Sequence, residues 1–207
     1  LRAWGDGANY ALGIGSAGTN EMIPISVAFP QNFSGISKLY SSNSSYQGAI
    51  DNNGKWWIWG SAALTGSNQG SPGSNITTDL YTPICLSDDA SNSIYGRTIV
   101  SSVEKFETST DYYSNVLLDS TGDVHFVGYS NPAMFAIART TYVNYTLSSL
   151  IPSAVEIASS GFHENATYYS LDAAGNVYSF GHNDNSVGQR GEVSPSNSIA
   201  TTLSISK

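Results

Sequence analysis

Three tryptophans within four residues, Trp56, Trp57 and Trp59, are the side chains in this sequence best suited to stacking on a sugar ring. Three histidines, His125, His163 and His182, could in principle ligate a metal. Adjacent carboxylates at Asp88–Asp89 could handle protons, and "GDGANYALGIG", from Gly5, has the glycine content of a phosphate-cradling loop. Tyr112, Tyr113, Tyr142 and Tyr145 could anchor a protein partner, because tyrosine gives a large contact area at a low cost in side-chain entropy. Cys85 is the only thiol.

Most of these candidates fail on spacing. The histidines are scattered, with no His-Glu-x-x-His or comparable ligand pattern. Asp88–Asp89 sits in "SDDASNS", which reads as a solvated loop. No helix follows the glycine-rich run to hold an anion at its N-terminus, and no serine has a Gly-x-Ser-x-Gly elbow around it. A lone cysteine in the apolar run "YTPICL" makes neither a disulfide nor a thiolate metal site and is expected to be buried and inert. Strand alternation puts Trp57 and Trp59 on one face and Trp56 with Ile58 on the other, which favours core over sugar platform. Five Asn-x-Ser/Thr sequons, at Asn32, Asn43, Asn75, Asn144 and Asn165, are about as many as composition yields by chance. No enzyme, metal or cofactor emerges. The tyrosines remain as candidate partner-binding residues, Tyr142 and Tyr145 and the long Gly60–Gly128 insertion among them.

The elements that must position these residues are legible through a repeat. "DNNGKWWIWG" (51–60), "DSTGDVHFVG" (119–128) and "DAAGNVYSFG" (172–181) say nearly the same thing, and the chain opens on the tail of that phrase, "LRAWG". Their last glycines, Gly5, Gly60, Gly128 and Gly181, recur roughly every 50–70 residues, the signature of a repeat architecture. Asp, two small or polar residues and Gly predict a tight hairpin turn, the glycine supplying a positive φ. Partner strands precede each full turn: "YQGAID", "SNVLLD" and "TYYSLD". Further upstream lie "GISKLYSS", "SSVEKFETS" and "SAVEIASSG", and before them the proline-marked "MIPISV", "YTPICL" and "LIPSAV", which suit edge or entry strands. The glycine that closes each phrase is expected to occupy a crowded place that admits no side chain. Sheets this small must lean on one another, which predicts an all-β propeller, or partial propeller, of about four blades of short antiparallel strands. The units are 1–60, 61–128, 129–181 and 182–207 of a single repeat domain, the last incomplete and open to closure by residues 1–5.

The phrase "LDAAGNVYSFG", followed by "NSVGQRGEV" at 185–193, resembles the regulator of chromosome condensation repeat family, as do "RAWGDGANYALGIG" with "IPISV" and the stretch "SGFHENATYYSLD". The resemblance implies a ring of about seven blades, a structural role for His163, and binding rather than catalysis. Val127 departs from the pattern where the other units carry an aromatic. Four phrases in place of about seven suggest part of a longer or processed protein.

Composition narrows the function. The net charge is −8, and the basic residues Arg2, Lys38, Lys55, Arg97, Lys105, Arg139, Arg190 and Lys207 are dispersed, which argues against nucleic acid or an anionic membrane as partner. No run of some 20 apolar residues predicts a membrane span. Only 12% of residues are charged against 40% hydrophobic, so the folded surface is polar yet nearly neutral. Such a surface suits a non-catalytic structural or adhesive module on an extracellular or virion surface, such as a phage tail, fibre or head-decoration protein. Its partners would be other chains of an assembly, a cell-surface receptor or a glycan. The alternative is a soluble partner-binding propeller that acts like an enzyme inhibitor. Nucleotide exchange on a GTPase fits less well with an acidic chain lacking a basic tail.

Overall fold

The computed structural model describes residues 1–16, 20–41, 46–61, 78–106, 113–129, 142–147, 151, 153–160, 167–181 and 201–203. They form three four-stranded antiparallel sheets and one two-stranded sheet. The two-stranded sheet pairs β1 (Arg2–Gly5) with β2 (Glu21–Ser26). The first full sheet holds β3 (Ile36–Ser41), β4 (Tyr46–Asp51), β5 (Trp56–Gly60) and β6 (Leu80–Cys85). The second holds β7 (Ile99–Phe106), β8 (Tyr113–Asp119), β9 (Val124–Tyr129) and β10 (Tyr142–Thr146). The third holds β11 (Ala154–Ser160), β12 (Thr167–Asp172), β13 (Val177–Gly181) and β14 (Thr201–Leu203). Each is a meander in chain order. β1 and β2 occupy the third and fourth strand positions of the same pattern. The glycine-to-glycine units thus count the repeat in a different phase from the sheets.

The hairpin between second and third strands is built identically three times. Asp51 Oδ1 accepts the N–H of Asn53 and Lys55 (both 2.9 Å), Asp119 Oδ1 those of Thr121 and Asp123 (2.9 and 3.0 Å), and Asp172 Oδ1 those of Ala174 and Asn176 (2.9 and 2.8 Å). Gly54, Gly122 and Gly175 take φ of 76°, 88° and 87°, the left-handed conformation that a three-residue hairpin loop demands of its last residue. Two of these turns also join neighbouring sheets. The Gly54 carbonyl accepts the N–H of Ile99 at the start of β7 (2.7 Å), and the Gly122 carbonyl accepts that of Ala154 at the start of β11 (2.9 Å).

The sheets stack face to face in sequence. Leu117 and Val127 of the second sheet join the core of the first, with Ile50, Trp56, Trp57, Ile58 and Trp59. Their alternation partners Val116, Leu118, Val124 and Phe126 join the core of the third, with Ile157, Tyr168 and Phe180. One sheet therefore buries both faces against two different neighbours, as period-2 side chains allow. The first strands β7 and β11 pack against each other. This is propeller stacking, and the tryptophan cluster is blade core: all three rings are buried.

Two expectations need correcting. The outer strand of the second sheet comes from β10, not from "LIPSAV"; Ile151 of that segment lies in a bend and contributes to the core. Proline marks fourth strands only where the register bulges. Met22–Ile23–Pro24 stand opposite Trp4 alone, and Tyr81–Thr82–Pro83 opposite Trp59 alone, so each proline falls where the ladder is already interrupted. Val127 replaces the aromatic in the second sheet, and there β9 and β10 pair without a shift. The glycine closing the phrase is not crowded at Gly5, where an added Cβ meets nothing within 4 Å. What Gly5 and Gly60 supply is positive φ, 106° and 120°. Separately, β14 pairs with β13 and β1 with β2.

Candidate protein interaction surface

Each turn aspartate has a second oxygen, and each sheet gives it a donor from the residue six positions on. Trp57 Nε1 donates to Asp51 Oδ2 (3.1 Å), His125 Nε2 to Asp119 Oδ2 (3.1 Å) and the Tyr178 hydroxyl to Asp172 Oδ2 (3.3 Å). A carboxylate can only accept, so Nε2 of His125 carries the proton and, in the neutral ring, Nδ1 is left to accept from Thr146 Oγ1 at 3.0 Å. His125 thereby ties β9 to the outer strand β10. Arg97 adds an ion pair to Asp119 and to Asp123, both at 3.2 Å. Burial alone would raise the Asp119 carboxyl; the bonds from Thr121, His125 and the N–H groups of Asp123 and Thr121 outweigh it and hold its pKa below the ordinary value. Asp172 is also lowered, first by Asn176. These groups spend their hydrogen-bonding capacity on holding turns, which is architecture rather than chemistry.

The other chemical candidates are likewise absorbed. Asp88 is exposed and pairs with Lys55 at 2.8 Å. Burial pushes the Cys85 thiol up to about 12. Residues 8–10 of the glycine-rich run form a single 3-10 turn. Its continuation packs on the first full sheet: the Ala11 carbonyl accepts Trp59 Nε1 at 2.9 Å, and a Cβ at Gly13 would lie 2.7 Å from Trp59 Cδ1. No cluster of three metal-ligating side chains occurs among the described residues. His163 and His182 lie outside them, as does Tyr112. Tyr113 begins β8, paired with Phe106, and Tyr142 and Tyr145 sit on the edge strand β10, paired with Tyr129 and Phe126. The 62–77 stretch of the long insertion is also outside the described residues.

What the structure adds is an apolar surface on the two-stranded sheet. Met22 is 91% exposed, Ile23 68% and Trp4 63%, with Leu1 and Leu39 exposed nearby. Large apolar side chains gathered in one place mark interaction surfaces, whereas scattered ones do not. The contrast with Trp59, 3% exposed at the equivalent repeat position, is one of context. Trp59 is covered by Ala11, Gly13 and the Phe29 ring, at 5.5 Å edge-on.

Among solved structures, Prp20p from Saccharomyces cerevisiae is similar over 99% of this chain, with a TM-score of 0.65 at 16% identity. Human WBSCR16 gives 0.51 at 16% identity, and yeast RCC1 (Prp20) bound to Kap60 gives 0.57 at 18%, each again over 99% of the chain. The fold is that of the regulator of chromosome condensation propellers. This chain spans about half the length of those structures: 47%, 48% and 44% respectively. No family model and no curated protein matches it. The sequence resemblance is thus upheld at the level of fold. Prp20p has been described with its binding to Gsp1p and histones, and yeast RCC1 in complex with Kap60, so the characterised neighbours engage other proteins.

Proposed function

We propose that this chain is a non-catalytic propeller module that binds a protein partner through the apolar surface of its β1–β2 sheet. One observation carries the reading: Trp4, Met22 and Ile23 stand in solvent together on one small sheet. A desolvated aromatic flanked by aliphatic side chains is the usual make-up of a binding hot spot. Support also comes from the fold neighbours, whose described partners are proteins. The dispersed basic residues support a protein rather than a nucleic acid.

A photo-crosslinking amino acid at Met22, and in a control at Lys55, tests this in an extract of the source cell. A discrete protein adduct is expected from position 22, lost in Trp4→Ala and absent from position 55. No protein adduct, or equal adducts from both positions, overturns the reading. A panel holding a small GTPase, histones and a β-lactamase then separates exchange-factor-like, chromatin-like and inhibitor-like partners.

A second reading places the module on an extracellular or virion surface as a structural or adhesive element. Composition favours it, the surface being polar with few charges. Mass spectrometry of purified virions would support that reading by detecting the chain and remove the virion part of it by failing to.

A further inference from the structure

The seam between the first and second full sheets gathers polar groups out of reach of solvent. Asn115 on β8 is 0% exposed, and neither its Nδ2 nor its Oδ1 has a hydrogen-bond partner among the described residues. The same holds for Nε1 of the buried Trp56 and for Oγ of the buried Ser102 on β7. Pairing and packing put these groups in one place. Asn115 shares a face of the second sheet with Leu117, two residues on, and stands opposite Val127; both of those residues pack in the tryptophan core of the first sheet. Ser102 stands opposite Leu117, diagonal to Asn115 on that face. Its N–H donates across the seam to the Tyr40 hydroxyl at 3.2 Å, and the Tyr40 ring lies 5.4 Å from that of Trp56. The sequence prepares this seam. Gly48 holds the place that Val116 and Tyr169 hold in the other full sheets. A Cβ there would lie 2.5 Å from Trp56 Cη2, so glycine is what lets the indole lie across β4.

Folded proteins pair nearly all their buried polar groups, and an amide buried with nothing to bond costs more than an ordinary hydrogen bond returns. An indole N–H only donates. The Asn115 amide offers two N–H donors and an oxygen with two lone pairs, and the Ser102 hydroxyl can donate or accept. One small molecule that accepts from the indole and donates to the amide oxygen serves both sheets at once. Water does this, and polar groups converging from three strands supply the two to four bonds that hold an internal water. We propose that a water molecule is bound within this seam, bridging Asn115 of the second sheet to Trp56 Nε1 of the first, with Ser102 Oγ as a third partner. The site is independent of the partner-binding reading. It makes Asn115 and Trp56 a polar joint between neighbouring sheets, set inside their apolar packing.

Water-selective NOESY and ROESY spectra of the isotopically labelled whole chain test this. The Asn115 side-chain amide and the Trp56 indole N–H should both show water cross-peaks that change sign between the two experiments, the mark of a bound water. No water cross-peak at either group would overturn the proposal. So would peaks that keep their sign, because these report proton exchange with bulk solvent. Asn115→Leu gives a second readout, since it keeps the size of the side chain and removes the amide. The Trp56 cross-peak should then disappear and Tm should fall, as the indole and Ser102 Oγ lose the partner they shared with Asn115. A rise in Tm would show that the amide bonds nothing in the folded chain, and the proposal would fall with it. If the variant does not fold, the wild-type spectra decide by themselves. Neither result bears on the partner-binding reading, which the crosslink at position 22 tests separately.

Discussion

Replacing Asp119 with Ala removes the acceptor for the Thr121 and Asp123 N–H groups, the Thr121 hydroxyl, His125 Nε2 and Arg97. The side chain is 1% exposed and that of His125 is 0%, so water cannot replace what is lost on the inner side. Hydrogen bonds to a charged group are worth about 1.5–3 kcal/mol each, and an orphaned buried donor costs about 1–3 kcal/mol. The outer turn donors can rehydrate and the bonds are not additive, which leaves a net loss of about 3–4 kcal/mol. For a chain of this size that corresponds to a fall in Tm of roughly 6–16 °C. Asp172→Ala removes the same turn bonds at an exposed turn and should cost clearly less. Urea unfolding followed by circular dichroism measures both. A loss below about 1 kcal/mol at Asp119, or equal losses at the two positions, would refute the claim that burial sets the worth of this network. The sign with pH follows. Asp119 is depressed below its unfolded value, so its contribution is fully present above about pH 4 and is lost as pH falls through the lower folded pKa. The wild-type advantage over Asp119→Ala should therefore shrink on acidification below that point.

Gly122→Ala should destabilise more than Gly175→Ala, although both take positive φ. A Cβ at Gly122 would lie 2.6 Å from Ser153 Oγ and 3.0 Å from the Ala154 backbone, whereas Gly175 faces open space; thermal melts of the two variants check this. Gly175→Ala carries only the left-handed backbone penalty of about 1–2 kcal/mol. Cys85, its thiol pushed up to about 12, should resist iodoacetamide at pH 8 until the chain unfolds, as intact-mass measurement with and without urea would show; rapid native labelling would contradict the burial argument.

Residues close together in the chain decided a good deal of this protein by themselves. The Asp-x-x-Gly turns could be read because a carboxylate capping two nearby N–H groups, followed by a positive-φ glycine, is local geometry that needs no partner. The period-2 pattern of "KWWIWG" likewise marked its tryptophans as core. The i+6 donors were present as Trp57, His125 and Tyr178, yet nothing in three such different residue types announces a shared role. Only folding, which brings that position back over the aspartate, reveals it. Tertiary structure also decided that Val116 and Leu117 serve different neighbouring sheets and that β10 rather than "LIPSAV" completes the second one. Trp4 and Trp59 make the point most sharply. They share a phrase and a bulged partner strand, but Trp59 is covered by a loop contributed from the adjoining sheet and Trp4 is not. Burial depends on what lies beside a strand in space, and that is set by the packing of one repeat on the next.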